Sequence, residues 1–234
     1  MHQRMQNIPT RVNTLAGQKK VLVFGSCGQD GSLLCNSLIR KDNSVIGIRR
    51  NSTKTAKNHY ILGIEKDLQI KKCDLMDFQN LRQIIIKENP NEIYNLAAQS
   101  SVGKSFTNPR ETIESIANGT LNILEACRKF DLPIVSASSD KAYGEYKSVD
   151  LPYTENHDLR PLYPYDVSKA SADLIAKSYA SELFSMPIVV TRFANIYGPG
   201  QTSKQLIPSI INQIKSNSKD IKVGSFKGHQ SWLF

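Results

Sequence analysis

Tyr165 and Lys169 stand four residues apart in the stretch YPYDVSK. On a helix that spacing puts both side chains on one face, where their functional groups can act together. A phenol ionises near pH 10, so to serve as a base at neutral pH it must be shifted down by roughly 4 kcal/mol of differential stabilisation. A neighbouring ammonium supplies about 1–3 pKa units of that shift. The positive charge of an oxidised nicotinamide is a natural source of the remainder. A Tyr and Lys on a bare helix surface would have no such use, so what lies beside them decides the reading.

A second group of residues bears on that question. GSCGQDG, residues 25–31, follows directly on the apolar run VLVF. A strand that ends in GxxGxxG and enters a helix near Gln29 gathers backbone N–H groups and a positive helix end around an empty turn. Gly25 permits the sharp turn, Gly28 lets a pyrophosphate approach the backbone, and Gly31 lets the helix pack closely on the strand. The plainer alternative is a tight strand–helix turn without a ligand. The next strand, VIGI, ends in Arg49 and Arg50, where an NAD-preferring site carries an acid about 20 residues past the glycines. Two adjacent guanidinium groups suit a 2′-phosphate, so NADP is the expected cofactor and NAD the second choice. The alternative is a pair of solvated surface arginines. Asp74, after the third strand, could meet the adenine amino group, and the NLAA turn at residues 95–98 could lie along the cofactor.

The elements that would position these residues are legible as short β-rich runs, KKVLVF, SVIGIR, LQIKKC, EIYNLAA, PIVSAS and PIVVTRF, alternating with amphipathic stretches. This is the α/β pattern of a doubly wound parallel sheet, the Rossmann arrangement. After Pro109 the apolar residues Ile113, Ile116, Ile123, Leu124 and Cys127 fall near the period that buries one stripe of a helix. After Gly200 strand alternation gives way to the helix-like LIPSIINQIK. The expected division is a disordered leader over 1–18, an NADP-binding domain with the catalytic residues over 19–200, and the start of a substrate-binding part over 201–234.

Composition excludes several classes. With 234 residues, 40% hydrophobic and 22% charged, the chain has the makings of one sizeable core. No window approaches the roughly 18 apolar residues of a membrane span, and the start lacks the apolar centre of a secretory signal. The leader is basic without an acid, which also fits an organellar transit peptide; the expectation is a cytoplasmic protein with no membrane partner. Cys27, Cys35, Cys73 and Cys127 are scattered, form no metal-ligand spacing and read as reduced thiols. The net charge of +9 comes from lysines spread along the chain with no aromatic platform, so no nucleic-acid partner is expected. An anionic small substrate accounts for it, as does a lysine-rich composition by itself.

Taken together, GSCGQDG, IRRNS, YNLAAQSSV, NGTLNILEA, SSDKAYGE, YPYDVSK and TRFANIYGPG resemble the extended short-chain dehydrogenase/reductase family, in particular its nucleotide-sugar dehydratases and epimerases. GQDGS with the arginine pair and YNLAAQS is similar to the GDP-mannose 4,6-dehydratases, which use NADP. The resemblance runs from about residue 19 to the C-terminus, and it implies a truncated substrate-binding part, because relatives continue beyond the point matching SWLF. It implies a cofactor site over Gly25, Gly28, Gln29, Asp30, Gly31, Arg49, Arg50, Asp74, Leu75, Leu96, Ala97, Ala98, Tyr165 and Lys169, and substrate contacts from Gln99, Ser100, Arg192 and Asn195. Ser139 occupies the position of the residue that hydrogen-bonds the reacting sugar hydroxyl. The GDP-mannose enzymes carry a glutamate where this chain has Lys141, whereas CDP-glucose and some UDP-sugar dehydratases carry Asp-Lys, as at Asp140 and Lys141 here.

Epimerases usually lack such a charged pair, so the resemblance favours dehydration. The implied reaction oxidises the sugar C4 transiently with NADP, removes water across C5 and C6 and returns the hydride to C6, giving a 4-keto-6-deoxy sugar nucleotide. The implied partners are a nucleotide-diphosphate sugar and further copies of the chain, as a dimer or tetramer. Four conditions and alternatives stay open. Asp140 and Lys141 both reach the sugar only if the strand has ended at Ser139, since consecutive strand residues point to opposite faces. The pair could instead be an exposed loop ion pair. A 4-epimerase or a 4-keto-sugar reductase fits the same motifs, and so does an inactive dinucleotide-binding or scaffold module.

Overall fold

In the computed structural model, residues 17–50, 56–147, 151–217, 220–223 and 232–234 are described. Residues 1–16 of the expected leader, and Asn51 and Ser52 of the IRRNS motif, lie outside them. Six strands, β1 (Lys20–Phe24), β2 (Ser44–Arg49), β3 (Leu68–Lys72), β4 (Glu92–Asn95), β5 (Ile134–Ala137) and β6 (Ile188–Thr191), form one parallel sheet in the order β3-β2-β1-β4-β5-β6. The strand order reverses between β1 and β4, and a doubly wound sheet opens a crevice at the carboxyl ends of its strands at such a point.

The period-two rule accounts for how the sheet is covered. In β1, Val21 and Val23 face one side and pack with Cys35 and Leu38 of helix α1 (Gln29–Ile39). Leu22 and Phe24 face the other side, against Leu81 and Ile85 of α3 (Phe78–Glu88) and Ile123 and Leu124 of α6 (Gly119–Cys127). Both faces are apolar because both are covered, as a parallel sheet requires. The short helix α2 (Lys57–Leu62) lies beside α1; α4 (Val102–Thr107) and α5 (Pro109–Ile113) precede α6, and α7 (Pro164–Ala180) packs on α5 and α6.

The stripe expected after Pro109 is interrupted. Between α5 and α6 the chain widens into one π-helical turn, Glu114–Asn118. Ile116, Ile123, Leu124 and Cys127 are buried as expected, but Ile113 is 42% exposed. The wide turn changes the angle per residue, so positions before it no longer share the stripe of positions after it. Beyond β6 the expected helix is α8 (Leu206–Lys215), which buries no residue. β7 (Asn195–Ile196), before α8, and β8 (Trp232–Leu233), after it, form a separate parallel pair.

Arg192, expected at the substrate, is used by the fold instead. Its Nε and Nη2 donate to the two carboxylate oxygens of Asp173 at 2.7 and 3.0 Å, and Nη1 donates to the Tyr143 hydroxyl at 2.9 Å. Asp173, on α7, is 1% exposed overall with its side chain fully covered, so this forked pair ties the residue just past β6 to α7 with the carboxylate out of contact with water. Removing one partner of such a pair strands the other charge in the interior, at a cost of about 3–5 kcal/mol. Asp173→Asn should therefore lower the thermal unfolding midpoint by many degrees. Arg192→Met strands the fully covered Asp173 carboxylate with, among the described residues, only Lys177 Nζ at 3.7 Å beside it, so it should cost at least as much as Asp173→Asn, which keeps an oxygen to accept from the guanidinium. Differential scanning calorimetry of the two variants checks the order.

Candidate active site

The turn after β1 shows which of its glycines the protein itself demands. Gly25 has φ of +78°, and a Cβ there would lie 2.9 Å from the backbone of Leu96 and Ala97. At Gly31 a Cβ would lie 2.2 Å from the Gly25 carbonyl oxygen. Both positions are closed to any side chain. Gly28 differs: its backbone is extended at φ −71°, and its Cβ would meet only the Gly25 oxygen at 3.4 Å, an ordinary contact. Among the described residues no atom explains the middle glycine, which is what a ligand lying against the backbone would require. The first helical bond of α1 runs from Ser32 N–H to Gly28 O at 3.0 Å. The N–H groups of Gln29, Asp30 and Gly31 precede it at the positive end of the helix.

This turn forms one wall of a cavity of about 850 Å³ at the switch point. Every expected site residue except Arg192 lines it. The glycine-rich turn, Arg49, Arg50, Asp74 and Leu75 form one end, and Ser139, Asp140, Lys141 and Tyr165 the other, with the Leu96–Ser100 turn and Lys169 also in the lining. Among the described residues, Gln29 Nε2, Ser138 Oγ and Gln201 Oε1 are buried without a hydrogen-bond partner, and all three residues line this cavity. Since interiors satisfy the great majority of their polar atoms, such a concentration marks a surface built for a polar ligand or ordered water. The donor set fits a dinucleotide.

At the outer end, Arg50 Nη1 lies 4.0 Å from Glu111 Oε1, which Lys104 Nζ also contacts at 2.7 Å. The Asp74 carboxylate accepts from the Met76 N–H at 3.0 Å. Gln99 lines the cavity, but its carboxamide is committed to the chain: Nε2 donates to Ser101 O and Thr112 Oγ1, and Oε1 accepts from the Ser101 N–H. It shapes the wall by anchoring the start of α4. Gln201 and Asn58, which the sequence reading did not single out, also line the cavity. The glycines at 198 and 200, both at positive φ (+154° and +87°), were the available signal of an unusual loop next to Gln201.

At the inner end β5 stops at Ala137, and the chain turns into one 3₁₀ turn, Asp140–Tyr143, capped by Ser139, whose Oγ accepts from the Lys141 N–H at 3.2 Å. This meets the geometric condition for Asp140 and Lys141 to share one cavity. Ser139 Oγ donates to Asp140 Oδ1 at 3.1 Å, and Lys141 Nζ lies 3.3 Å from Asp140 Oδ2. Tyr165 and Lys169 sit in the first turns of α7, which starts at Pro164.

Their electrostatics are set by burial. Tyr165 is 8% exposed, and desolvation pushes its phenol up to about 12, opposed by the Ser139 hydroxyl and reinforced by the Asp140 and Asp166 carboxylates. Burial pushes Lys169 the other way, down to about 8, and its Nζ donates to the Ala137 carbonyl at 2.8 Å. The ammonium that was expected to lower the phenol is thus itself weakened by desolvation. Bringing Tyr165 from about 12 to neutrality asks for about 7 kcal/mol. Lys169, lowered only to about 8, still carries its charge at neutral pH and meets part of that demand, and positive charge brought by a ligand would add to it.

Residues 22–234 match the family described as GDP-mannose 4,6 dehydratase. A GDP-mannose 4,6-dehydratase of Vibrio cholerae is 37% identical over 172 residues, 69% of this chain and 46% of that protein. Among solved structures, a UDP-N-acetylglucosamine 4-epimerase from Methanobrevibacter ruminantium, in complex with UDP-N-acetylmuramic acid, superposes with a TM-score of 0.81 at 28% identity, covering 92% of this chain and 69% of that one. A dTDP-glucose 4,6-dehydratase from Bacillus anthracis, in complex with NAD, gives 0.80 at 25% identity, covering 92% and 67%. The chain spans about half the length of the curated relatives it matches. Its six-stranded sheet order, its glycine-rich turn, its Tyr165–Lys169 pair and a match over nearly all of its length make this chain a member of the GDP-mannose 4,6 dehydratase family.

Proposed function

We propose that this chain carries the dinucleotide site and the catalytic residues of a nucleotide-sugar 4,6-dehydratase. The observation that carries the reading is the placement of Asp140 and Lys141, 3.3 Å apart, in the wall of the same cavity as Ser139 and Tyr165. A nicotinamide dinucleotide held by the glycine-rich turn would supply hydride removal from the sugar C4 and hydride return to C6. Tyr165 Oη accepts the proton of the sugar 4-hydroxyl, and Ser139 Oγ orients that hydroxyl. Lys169, held by the Ala137 carbonyl, stabilises the phenolate with its ammonium charge.

Elimination needs a base at C5 and an acid at the leaving oxygen of C6. In the observed ion pair the proton sits on Lys141; passing it across the 3.3 Å contact leaves a neutral amine and a neutral carboxyl. Lys141 Nζ then takes the C5 proton while Asp140 gives its proton to the departing hydroxyl, and the ion pair is restored as water leaves. The two residues act as one proton-sharing unit.

Arg49 and Arg50 at the end of β2 support NADP over NAD through the 2′-phosphate. NAD stays the second choice, since the Bacillus anthracis relative was solved with NAD. The likeness to the Methanobrevibacter ruminantium epimerase supports 4-epimerisation as the second reading of the activity. Exposed apolar side chains on the mutually packed helices α4, α5 and α7, Phe106, Ile113, Val167 and Leu174, 38–56% exposed, support association with a second copy of the chain. No described helix is long and apolar enough to cross a membrane.

If Arg49 and Arg50 read the 2′-phosphate, replacing both with Ala raises the dissociation constant for NADP by about tenfold or more and leaves that for NAD nearly unchanged. Equal effects on both cofactors in a fluorescence titration would contradict the assignment. Tyr165→Phe removes one hydroxyl and keeps the turn and Lys169, so turnover should fall by at least a hundredfold with cofactor affinity retained. The substrate reading is tested in deuterated water with a panel of nucleotide sugars. A product lighter by one water, with solvent deuterium at C5 and the original C4 hydrogen at C6, is expected; an isomer of unchanged mass without deuterium at C5 favours the epimerase. Asp140→Asn should slow water loss while reduced cofactor still accumulates, and an Asn variant that dehydrates normally would return Asp140 to the role of loop ion pair.

A further inference from the structure

His59 is a buried titratable side chain that none of the preceding chemistry uses. It lies on α2, is 2% exposed, and its Nε2 is 2.6 Å from the carbonyl oxygen of Ser26, 33 positions earlier in the chain. A carbonyl can only accept, so Nε2 carries the proton and donates. Ser26 is the second residue of the glycine-rich turn and is completely buried, with its own Oγ donating to the Ile48 carbonyl at 3.4 Å. The adjoining carbonyl, that of Gly25, accepts from the Gly28 N–H at 3.0 Å. Two successive carbonyls of the turn are therefore held, one by the turn itself and one by His59.

The planarity of the peptide bond gives this hydrogen bond a consequence on the other side of the backbone. In a trans peptide the C=O and the following N–H point in opposite directions. Drawing the Ser26 carbonyl toward α2 turns the Cys27 N–H away from α2, and Cys27 lines the cavity. The helix that delivers His59 is anchored on a second side: Asn58 Nδ2 donates to the Gly200 carbonyl at 3.4 Å, and Asn58 lines the same cavity. Nothing about a surface or a purely apolar core position calls for an imidazole donor aimed at this one carbonyl.

We propose that His59 is a positioning residue for dinucleotide binding: by fixing the Ser26 carbonyl it sets the Ser26–Cys27 peptide so that the turn presents its Cys27 N–H to a phosphate of the ligand. This rests on the reading of the turn as a dinucleotide cradle. His59 touches no ligand atom in this assignment; it acts through the backbone.

The test titrates NADPH and NADH fluorescence against the whole chain and against His59→Gln, which keeps an N–H donor at similar reach, and His59→Phe, which keeps a ring and loses the donor. The Phe variant should bind at least about tenfold more weakly, the loss of one well-placed hydrogen bond, and the Gln variant should stay within about threefold of the parent. The unliganded unfolding midpoints separate this from general destabilisation, since a merely structural histidine would not show rescue of affinity by Gln. A Phe variant that binds like the parent overturns the proposal, as does a Gln variant weakened as much as Phe. Should the Phe variant fail to fold, His59→Met removes the donor with a more adaptable side chain and is read by the same titration. A parent chain that binds neither nucleotide overturns the cradle reading itself, and this proposal with it; a parent that binds while the variants are indifferent overturns only the role of His59.

Discussion

The contact on which the site depends is the approach of Gly31 to the Gly25 carbonyl, where a Cβ would come within 2.2 Å of the oxygen. Because helix α1 starts pressed against the end of β1, its positive end arrives at the point where strand order reverses rather than a turn further out. Gly25 is in turn pressed against Leu96 and Ala97, so the strand that crosses the switch point is locked to the same turn. Two residues without side chains thus join β1, α1 and β4 at one place. The crevice that results is walled on one side by first-turn amides and on the other by the end of β4. A larger residue at either position would separate the layers before it affected any ligand.

Across that crevice a single physical effect, desolvation, acts in opposite directions on two neighbouring groups. Tyr165 is pushed up to about 12 and Lys169 down to about 8, so burial favours the neutral form of each. At neutral pH Lys169 still carries its charge, and positive charge added beside Tyr165 makes the phenolate less costly. The ionisation of Tyr165 is consequently sensitive to what occupies the cavity. The same burial that makes the pair inert in isolation makes it responsive to charge, because interactions are stronger where water is excluded.

The strand pattern and both glycine tasks were legible in the sequence because they follow from local rules: period two in β1, and glycines where backbone meets backbone. The Tyr165–Lys169 spacing was legible for the same reason. The π turn at Glu114–Asn118 was not, since a stripe at 113, 116, 123, 124 and 127 looks continuous until one wide turn shifts Ile113 out of it. Arg192 and Gln99 illustrate a different limit. Their residue types suit a sugar nucleotide, yet the partners that claim them, Asp173 for Arg192 and Thr112 and Ser101 for Gln99, are set by tertiary packing that no local pattern announces. His59 was invisible for the same reason: its partner is a carbonyl 33 residues away.

The structural likeness to an epimerase and to a dehydratase is nearly equal, with TM-scores of 0.81 and 0.80, so the fold does not choose between the two reactions. The choice has to rest on groups that the fold holds but does not require. Asp140 and Lys141 meet that description. Their backbone is fixed independently of their side chains: the Asp140 N–H donates to the Phe193 carbonyl at 2.9 Å, Ser139 caps the turn, and Gly144 closes it at φ +72°, where a Cβ would strike the Arg160 carbonyl at 1.9 Å. Neither side chain is needed to make that turn. A change of either would therefore leave the frame in place, so the reaction supported on such a scaffold can differ without a change of fold.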